Sequence, residues 1–149
     1  MDNDVPVLNI LLAEDNPADV LLVREVLSEE RIACTLHVMK DGEKAIKFIE
    51  GLDADPVVAS LDMALLDMHL PKCDGEEILC TPRSTERYAQ TPVVVMTASD
   101  APGDYEGARK HAALHYFRKP STLNGYKHLG GLIGEAAANA RFKRVGVNL

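Results

Sequence analysis

The chain has 149 residues, of which 46% are hydrophobic and 26% are charged, and its formal net charge is −7. These values are typical of one domain with a hydrophobic core, and the acidic balance argues against a general nucleic-acid binder, which needs a basic face. No apolar run approaches the roughly 20 residues of a membrane span. The chain starts with acidic residues where a secretion signal is basic, and its three cysteines lack a paired spacing. We therefore expect a cytoplasmic protein with no membrane partner.

Five short apolar runs alternate with helical patterns along the whole chain. The runs span residues 7–13, 34–39, 63–67, 92–96 and 115–117. Two of them contain the stretches ALLD and VVVM, which lack the polar alternation of a half-exposed strand and so indicate strands covered on both faces. The pattern predicts one α/β domain over residues 1–149, built on a five-stranded parallel sheet with helices wound on both faces. Its core is predicted over about residues 7–140, followed by a C-terminal tail over 141–149.

The sequence marks the helical segments with unequal clarity. Asn16 as the cap, Pro17 at the first helical position and Asp19 in the first turn predict where the first helix begins. Pro82 falls inside the third helical pattern and predicts that this helix ends or kinks near Cys80. Four glycines lie in the fifth pattern, predicted over about residues 122–140, so this helix must depend on tertiary contacts.

Polar residues follow four of the five predicted strands. Glu14 and Asp15 follow the first run, Asp67 ends the third, Thr97 follows the fourth and Lys119 follows the fifth. Because the carboxyl ends of parallel strands meet at one edge of a sheet, we expect these side chains to converge. Adjacent carboxylates repel each other unless a cation lies beside them, and Mg²⁺ is a hard ion that needs only one or two protein carboxylates. The pattern therefore predicts a Mg²⁺ site at the three acids.

The same residues suggest phosphoryl chemistry, with Asp67 as the nucleophile. A carboxylate can attack a phosphoryl group and hold it as an aspartyl phosphate, provided that nearby cations neutralise the charge. Lys119 and Mg²⁺ would supply that charge, and Thr97 would supply a hydroxyl donor. The backbone carbonyl of His69 is a candidate for a further Mg²⁺ ligand. The Lys119–Pro120 bond is left open as cis or trans, since bonds before proline adopt both forms.

In this order and over about residues 7–140, these motifs resemble the receiver domain of two-component response regulators. The resemblance implies a flavodoxin-like fold and phosphorylation of Asp67 by a sensor histidine kinase. It also implies a switch in which Thr97 and the aromatic ring of Tyr116 move together on phosphorylation. Such a protein is a signalling switch rather than an enzyme, with only slight self-phosphorylation and autodephosphorylation chemistry. Its partners would be the kinase and a downstream protein that the sequence does not identify.

A narrower resemblance concerns the segments EDNPADVLLVREVL and LHVMKDGEKAIKFI. They are similar to stand-alone regulators that partner bacterial phytochrome kinases, which implies a bacteriophytochrome as the kinase. About ten residues follow the predicted fifth helix, too few for an output domain, which agrees with a stand-alone regulator. The chain departs from this pattern at Pro82 and in its glycine-rich fifth helix. A homodimer is left open, because Gly130 and Gly134 are spaced to let two helices approach closely.

Two other classes of function are compatible with parts of the pattern. Phosphatases of the haloacid dehalogenase type also use an Asp nucleophile, Mg²⁺, a Thr and a Lys, but they require a second acid two residues after the nucleophile. His69 stands at that position here. The other alternative is an interaction module that kept the fold and works without phosphorylation, and the intact set of five site positions argues against it.

Overall fold

The fold is given by a computed structural model, which describes residues 7–54, 61–72, 75–84, 91–98, 102–111, 113–120 and 122–144. Strands and helices alternate five times, and each strand begins and ends within one residue of its predicted position. The strands are β1 (Leu8–Ala13), β2 (Cys34–Met39), β3 (Met63–Asp67), β4 (Val93–Thr97) and β5 (His115–Arg118). The helices are α1 (Pro17–Glu29), α2 (Gly42–Ala54), α3 (Gly75–Ser84), α4 (Pro102–Lys110) and α5 (Leu123–Arg144).

All five strands are parallel and lie in the order β2-β1-β3-β4-β5. The chain runs outward from β1 to β2 and then returns to place β3 on the other side of β1. The direction of winding therefore reverses between β1 and β3. In sheets of this kind a crevice opens at that point, beyond the carboxyl ends of the two strands, and ligands bind there.

The sheet is covered on both faces, because alternate residues of each strand point to opposite sides. On one face, α1 and α5 pack against a cluster that includes Leu8, Ile10, Leu12, Met63, Leu65, Val94, Met96 and Phe117. On the other face, α2, α3 and α4 pack against a cluster that includes Leu11, Ala13, Ala64, Leu66, Val93 and Val95. The predicted doubly wound, flavodoxin-like architecture is confirmed.

The start of α1 follows its sequence signals. The side chain of Asn16 accepts a hydrogen bond of 2.9 Å from the backbone N–H of Ala18, and Pro17 is the first helical residue. The cap satisfies one of the N–H groups that a helix leaves unpaired at its start. As a result, α1 begins at Pro17, with only the cap residue between it and the two acids that follow β1.

α3 and α5 extend beyond the ends that the sequence indicates. α3 runs to Ser84, two residues past Pro82, so the alternative that Pro82 ends the helix near Cys80 is wrong, and the alternative of a kink stays a prediction. Pro82 lies in the last turn, so few helical residues follow the backbone hydrogen bond that its missing N–H removes. α5 runs to Arg144, four residues beyond its predicted end, and residues 145–149 lie outside the described part. Among the helices described here, none combines the length and apolar character that crossing a membrane requires.

Two of the glycines in α5 accommodate a side chain from α1. A Cβ atom at Gly130 would lie 3.3 Å from Cγ of Glu30, and one at Gly134 would lie 3.0 Å from Glu30 Oε1. Glu30 follows the last residue of α1, so it occupies the face on which a dimer contact was considered. The four-residue spacing of these glycines therefore has an explanation within one chain, and the homodimer stays a prediction.

Substitution by alanine should have opposite effects on stability at two glycines of α5. Nothing lies within 4 Å of a Cβ built at Gly131, so Gly131→Ala should stabilise the fold by about 1 kcal/mol and raise Tm by roughly 2–4 °C. A Cβ at Gly125 would overlap Cβ of Pro120, which belongs to a rigid ring. Gly125→Ala should therefore destabilise the protein by roughly 1–3 kcal/mol. Urea unfolding of both variants checks this, and a Gly125→Ala protein as stable as wild type would contradict the packing.

Candidate functional site

The structure brings the predicted polar residues to one edge of the sheet. Glu14 and Asp15 directly follow β1, Asp67 and Thr97 end β3 and β4, and Lys119 directly follows β5. The backbone N–H of Lys119 donates to the carbonyl of Thr97 at 2.8 Å, which extends the pairing of β4 and β5. These four strands are neighbours in the sheet, and the residues at their ends form the floor of the crevice at the switch point.

Three carboxylates form an acidic cluster in this crevice. One oxygen each from Glu14, Asp15 and Asp67 lies within 4.8 Å of the others. Glu14 is fully buried and Asp67 is 6% exposed, whereas Asp15 is exposed to solvent. Backbone N–H groups orient the two buried acids: His69 donates to Asp67 Oδ1 at 2.9 Å and Asn16 donates to Glu14 Oε2 at 3.1 Å. Hard oxygen donors at this spacing fit a divalent cation such as Mg²⁺.

Lys119 joins the acidic cluster to α1. Its Nζ atom donates to Glu14 Oε1 at 2.5 Å, to Asp67 Oδ2 at 3.0 Å and to Asp19 Oδ2 at 3.0 Å. The Lys119 side chain is 9% exposed, so these ion pairs lie largely out of water. An ammonium group has three N–H donors, and each of them has a carboxylate acceptor here.

Burial and charge shift the pKa values of the two most buried groups. Burial raises the pKa of Glu14 to about 7, although the Lys119 ammonium and the N–H of Asn16 oppose this effect. Burial alone would lower the pKa of Lys119, but its hydrogen bonds to Glu14 and Asp19 outweigh that effect and raise the pKa above its ordinary value. Lys119 is therefore charged at physiological pH. A cation beside Glu14 would favour its ionised form.

Asp19 and Tyr126 belong to the site, although the sequence analysis did not assign them to it. Asp19 was interpreted only as a residue of the first helical turn, yet its Oδ1 atom accepts a 2.7 Å hydrogen bond from the hydroxyl of Tyr126. Tyr126 is 2% exposed, and its ring packs near Phe117 at 5.8 Å between centroids. Burial and the bond to Asp19 raise the pKa of Tyr126. One signal was available, since Asp19 lies in the first turn of α1, four residues after Asp15; no sequence pattern marks Tyr126.

The two residues predicted to form the switch lie on the β4–β5 side of the crevice. Thr97 is fully buried at the end of β4. Tyr116 lies beside Val95 in the register of β4 and β5, and it is half-buried. Its ring meets the ring of Tyr105 on α4 edge to face, with centroids 5.4 Å apart and planes at 75°. A coupled movement of Thr97 and Tyr116 stays a prediction.

Two further expectations concern the backbone around the site. The Lys119–Pro120 bond is trans, so Lys119 reaches the cluster without a cis bond. The backbone N–H of His69 donates to Asp67 Oδ1, and the His69 side chain is exposed. The role of the His69 carbonyl as a metal ligand stays a prediction.

This combination of fold and site defines a class of protein, and comparison with known proteins agrees with it. Residues 10–128 match the response regulator receiver domain family. The chain belongs to this family, whose members are signalling proteins. Among curated proteins, it is 31% identical over 118 residues to the probable methanogenesis regulatory protein FilR2 of Methanothrix harundinacea, covering 79% of this chain and 76% of that protein.

Phytochrome response regulators are among the similar proteins. The response regulator Rcp1 of Synechocystis sp. is 37% identical over 98 residues, covering 66% of this chain and 67% of Rcp1. The solved Mn²⁺-bound form of Rcp1 has a TM-score of 0.74 at 31% identity, covering 84% of this chain and 90% of that one. The phosphorylated cyanobacterial phytochrome response regulator RcpA has a TM-score of 0.77 at 28% identity, covering 87% of this chain and 93% of that one.

The buried ion pairs of Lys119 should contribute to the stability of the folded protein. Lys119→Met leaves three largely buried carboxylates without their cation, so it should destabilise the fold by about 3–5 kcal/mol in urea unfolding. Millimolar Mg²⁺ should restore part of that loss, because it supplies positive charge to the same acids. Lys47→Met is the control: Lys47 pairs with Glu43 at 3.2 Å but is 72% exposed, so its loss should cost no more than about 0.5 kcal/mol. Equal effects of the two substitutions would contradict the burial of the Lys119 pairs.

Proposed function

We propose that the chain is a stand-alone response regulator that accepts a phosphoryl group from a histidine kinase on Asp67. In this proposal the transfer depends on Mg²⁺, and the phosphorylated protein signals through contacts with another protein. One observation carries the proposal: Asp67 is 6% exposed, and its carboxylate lies in the acidic cluster and accepts a 3.0 Å hydrogen bond from Lys119. This environment gives a carboxylate the positive neighbours that phosphoryl transfer requires.

The chemistry assigned to Asp67 is nucleophilic. A carboxylate oxygen of Asp67 attacks the phosphorus atom of a phosphohistidine, and the phosphorus–nitrogen bond breaks with its electron pair left on the imidazole. The product is an acyl phosphate on Asp67. Lys119 lies where it can donate to a phosphoryl oxygen as negative charge accumulates. Glu14, Asp15 and Asp67, with the predicted carbonyl of His69, would hold a Mg²⁺ ion that neutralises charge on the transferred group.

We further propose that Thr97 and Tyr116 transmit the phosphorylated state. Thr97 lies at the end of the strand next to Asp67, where its hydroxyl can donate to a phosphoryl oxygen. The ring of Tyr116 lines a groove of about 300 Å³ between α4 and β5, together with Tyr105, Ala108, Arg109, Ala113, Leu114 and His115. A change in the position of this ring would alter the shape of the groove, which gives a downstream protein a surface to distinguish.

The similarity to Rcp1 and RcpA supports a bacterial phytochrome as the partner kinase. RcpA is a phytochrome response regulator, and its fold overlaps 87% of this chain. The proposed Mg²⁺ requirement has support of the same kind, since Rcp1 has been solved with Mn²⁺. Mn²⁺ and Mg²⁺ both favour oxygen ligands, and the three clustered carboxylates of this chain supply them.

The test is phosphorylation of the purified protein with acetyl phosphate, followed by intact mass measurement. Wild type should gain a single phosphoryl group only when Mg²⁺ is present, because the cation offsets the charge that accumulates at Asp67. Asp67→Asn should gain none. The matched control is Asp62→Asn, the same substitution beyond the opposite end of β3, where Asp62 accepts a 2.8 Å bond from the N–H of Asn9. This control should be phosphorylated like wild type.

The alternative outcomes separate the competing functions. If wild type is not modified and does not bind beryllofluoride with Mg²⁺, the protein is an interaction module that works without phosphorylation. An adduct that persists in Asp67→Asn would place the phosphoryl group on another residue. Sustained hydrolysis of a simple phosphate ester that depends on Asp67 would favour a phosphatase.

A further inference from the structure

Lys119 is shared between the acidic cluster and a carboxylate outside it. Two of its acceptors, Glu14 and Asp67, belong to the group of oxygens that fits a metal ion. The third acceptor, Asp19 on α1, is not part of that group. A cation bound in the cluster would therefore neutralise Glu14 and Asp67 directly, whereas Asp19 relies on Lys119 for its positive neighbour.

Asp19 is held in this position from the other side. Its Oδ1 atom accepts the hydroxyl of Tyr126 at 2.7 Å, and its Oδ2 atom accepts Lys119 at 3.0 Å. Tyr126 is fixed on α5, since it is 2% exposed and packs near Phe117. The Asp19 side chain itself is 15% exposed. Asp19 is thus a largely buried carboxylate whose two oxygens each have one donor.

On the basis of the proposed function, we infer that Asp19, oriented by Tyr126, is a positioning residue that competes with the incoming phosphoryl group for Lys119. All three N–H groups of Lys119 are occupied before transfer, so donation to a phosphoryl oxygen requires one carboxylate to be released. Asp19 also adds a negative charge close to the position that the phosphoryl group will occupy. Both effects weaken the binding of an anion at Asp67, and the same charge strengthens the binding of a cation.

This inference predicts changes of opposite sign in two binding constants. Asp19→Asn removes one negative charge from the site and leaves only a neutral amide oxygen to accept from Lys119, which weakens that hydrogen bond. Its affinity for Mg²⁺ should fall, and its affinity for a phosphoryl mimic should rise. A residue that merely stabilised the local structure would weaken both when substituted, because both ligands use the same cluster.

The experiment measures both constants by isothermal titration calorimetry, first for Mg²⁺ alone and then for beryllofluoride at saturating Mg²⁺. For Asp19→Asn we expect the Mg²⁺ Kd to rise about tenfold and the beryllofluoride Kd to fall about tenfold. Tyr126→Phe should shift both constants in the same directions by a smaller factor, because Asp19 keeps its charge but loses the donor that aims it at Lys119. Glu25→Gln is the control, since Glu25 is an exposed acid on the same helix, and it should leave both constants unchanged.

The outcomes separate this inference from the proposed function. Loss of affinity for both ligands in Asp19→Asn, in a protein whose circular dichroism and Tm match wild type, would overturn the competition and leave a structural role. Constants equal to those of Glu25→Gln would overturn it as well. In both cases wild type still binds beryllofluoride, so the proposed function survives. If wild type binds Mg²⁺ but no beryllofluoride, the proposed function fails, and the competition for Lys119 fails with it.

Discussion

The structure of the site depends on a single ammonium group. Lys119 forms ion pairs with Glu14 after β1, Asp19 on α1 and Asp67 at the end of β3. Without Lys119, these three carboxylates would repel one another at such short range. Burying an unpaired charge is far more costly than burying a paired one, so the positions of the acids and of Lys119 are mutually dependent. The Lys119 ammonium thus neutralises part of the negative charge in the crevice of the sheet. A metal ion bound to the same acids would neutralise more of it.

α5 is connected to this ammonium group through two contacts. Pro120, which follows Lys119, packs against Gly125 in the first turn of α5, where a larger residue has no room. One position later on the same helix, Tyr126 donates to Asp19, which in turn accepts from Lys119. The backbone around Lys119 and the orientation of its acidic partner are therefore both set by the start of α5.

The site is also connected to the opposite layer of helices. Tyr116 on β5 contacts Tyr105 on α4, while Tyr126 and Asp19 lie between α5 and α1 on the other face of the sheet. In the proposed function, a phosphoryl group on Asp67 adds nearly two negative charges between these two layers. Its effects would be transmitted to the α4–β5 groove through Thr97 and Tyr116, and to α1 and α5 through Lys119.

Local patterns in the sequence determined the five strands within one residue, the start of α1 at Asn16 and Pro17, and the receiver class to which the chain belongs. They located Glu14, Asp15, Asp67 and Lys119, because residues at the carboxyl ends of parallel strands must meet at one edge. One of their alternatives, an end of α3 near Cys80, is wrong, because a proline in the last turn leaves few residues beyond the hydrogen bond that it removes. The spacing of Gly130 and Gly134, which left a homodimer open, has an explanation within one chain, since Glu30 packs against both. Only the tertiary structure assigned Asp19 and Tyr126 to the site, because a bond between residues 107 positions apart depends on how α1 packs against α5 and leaves no periodic signal in the chain.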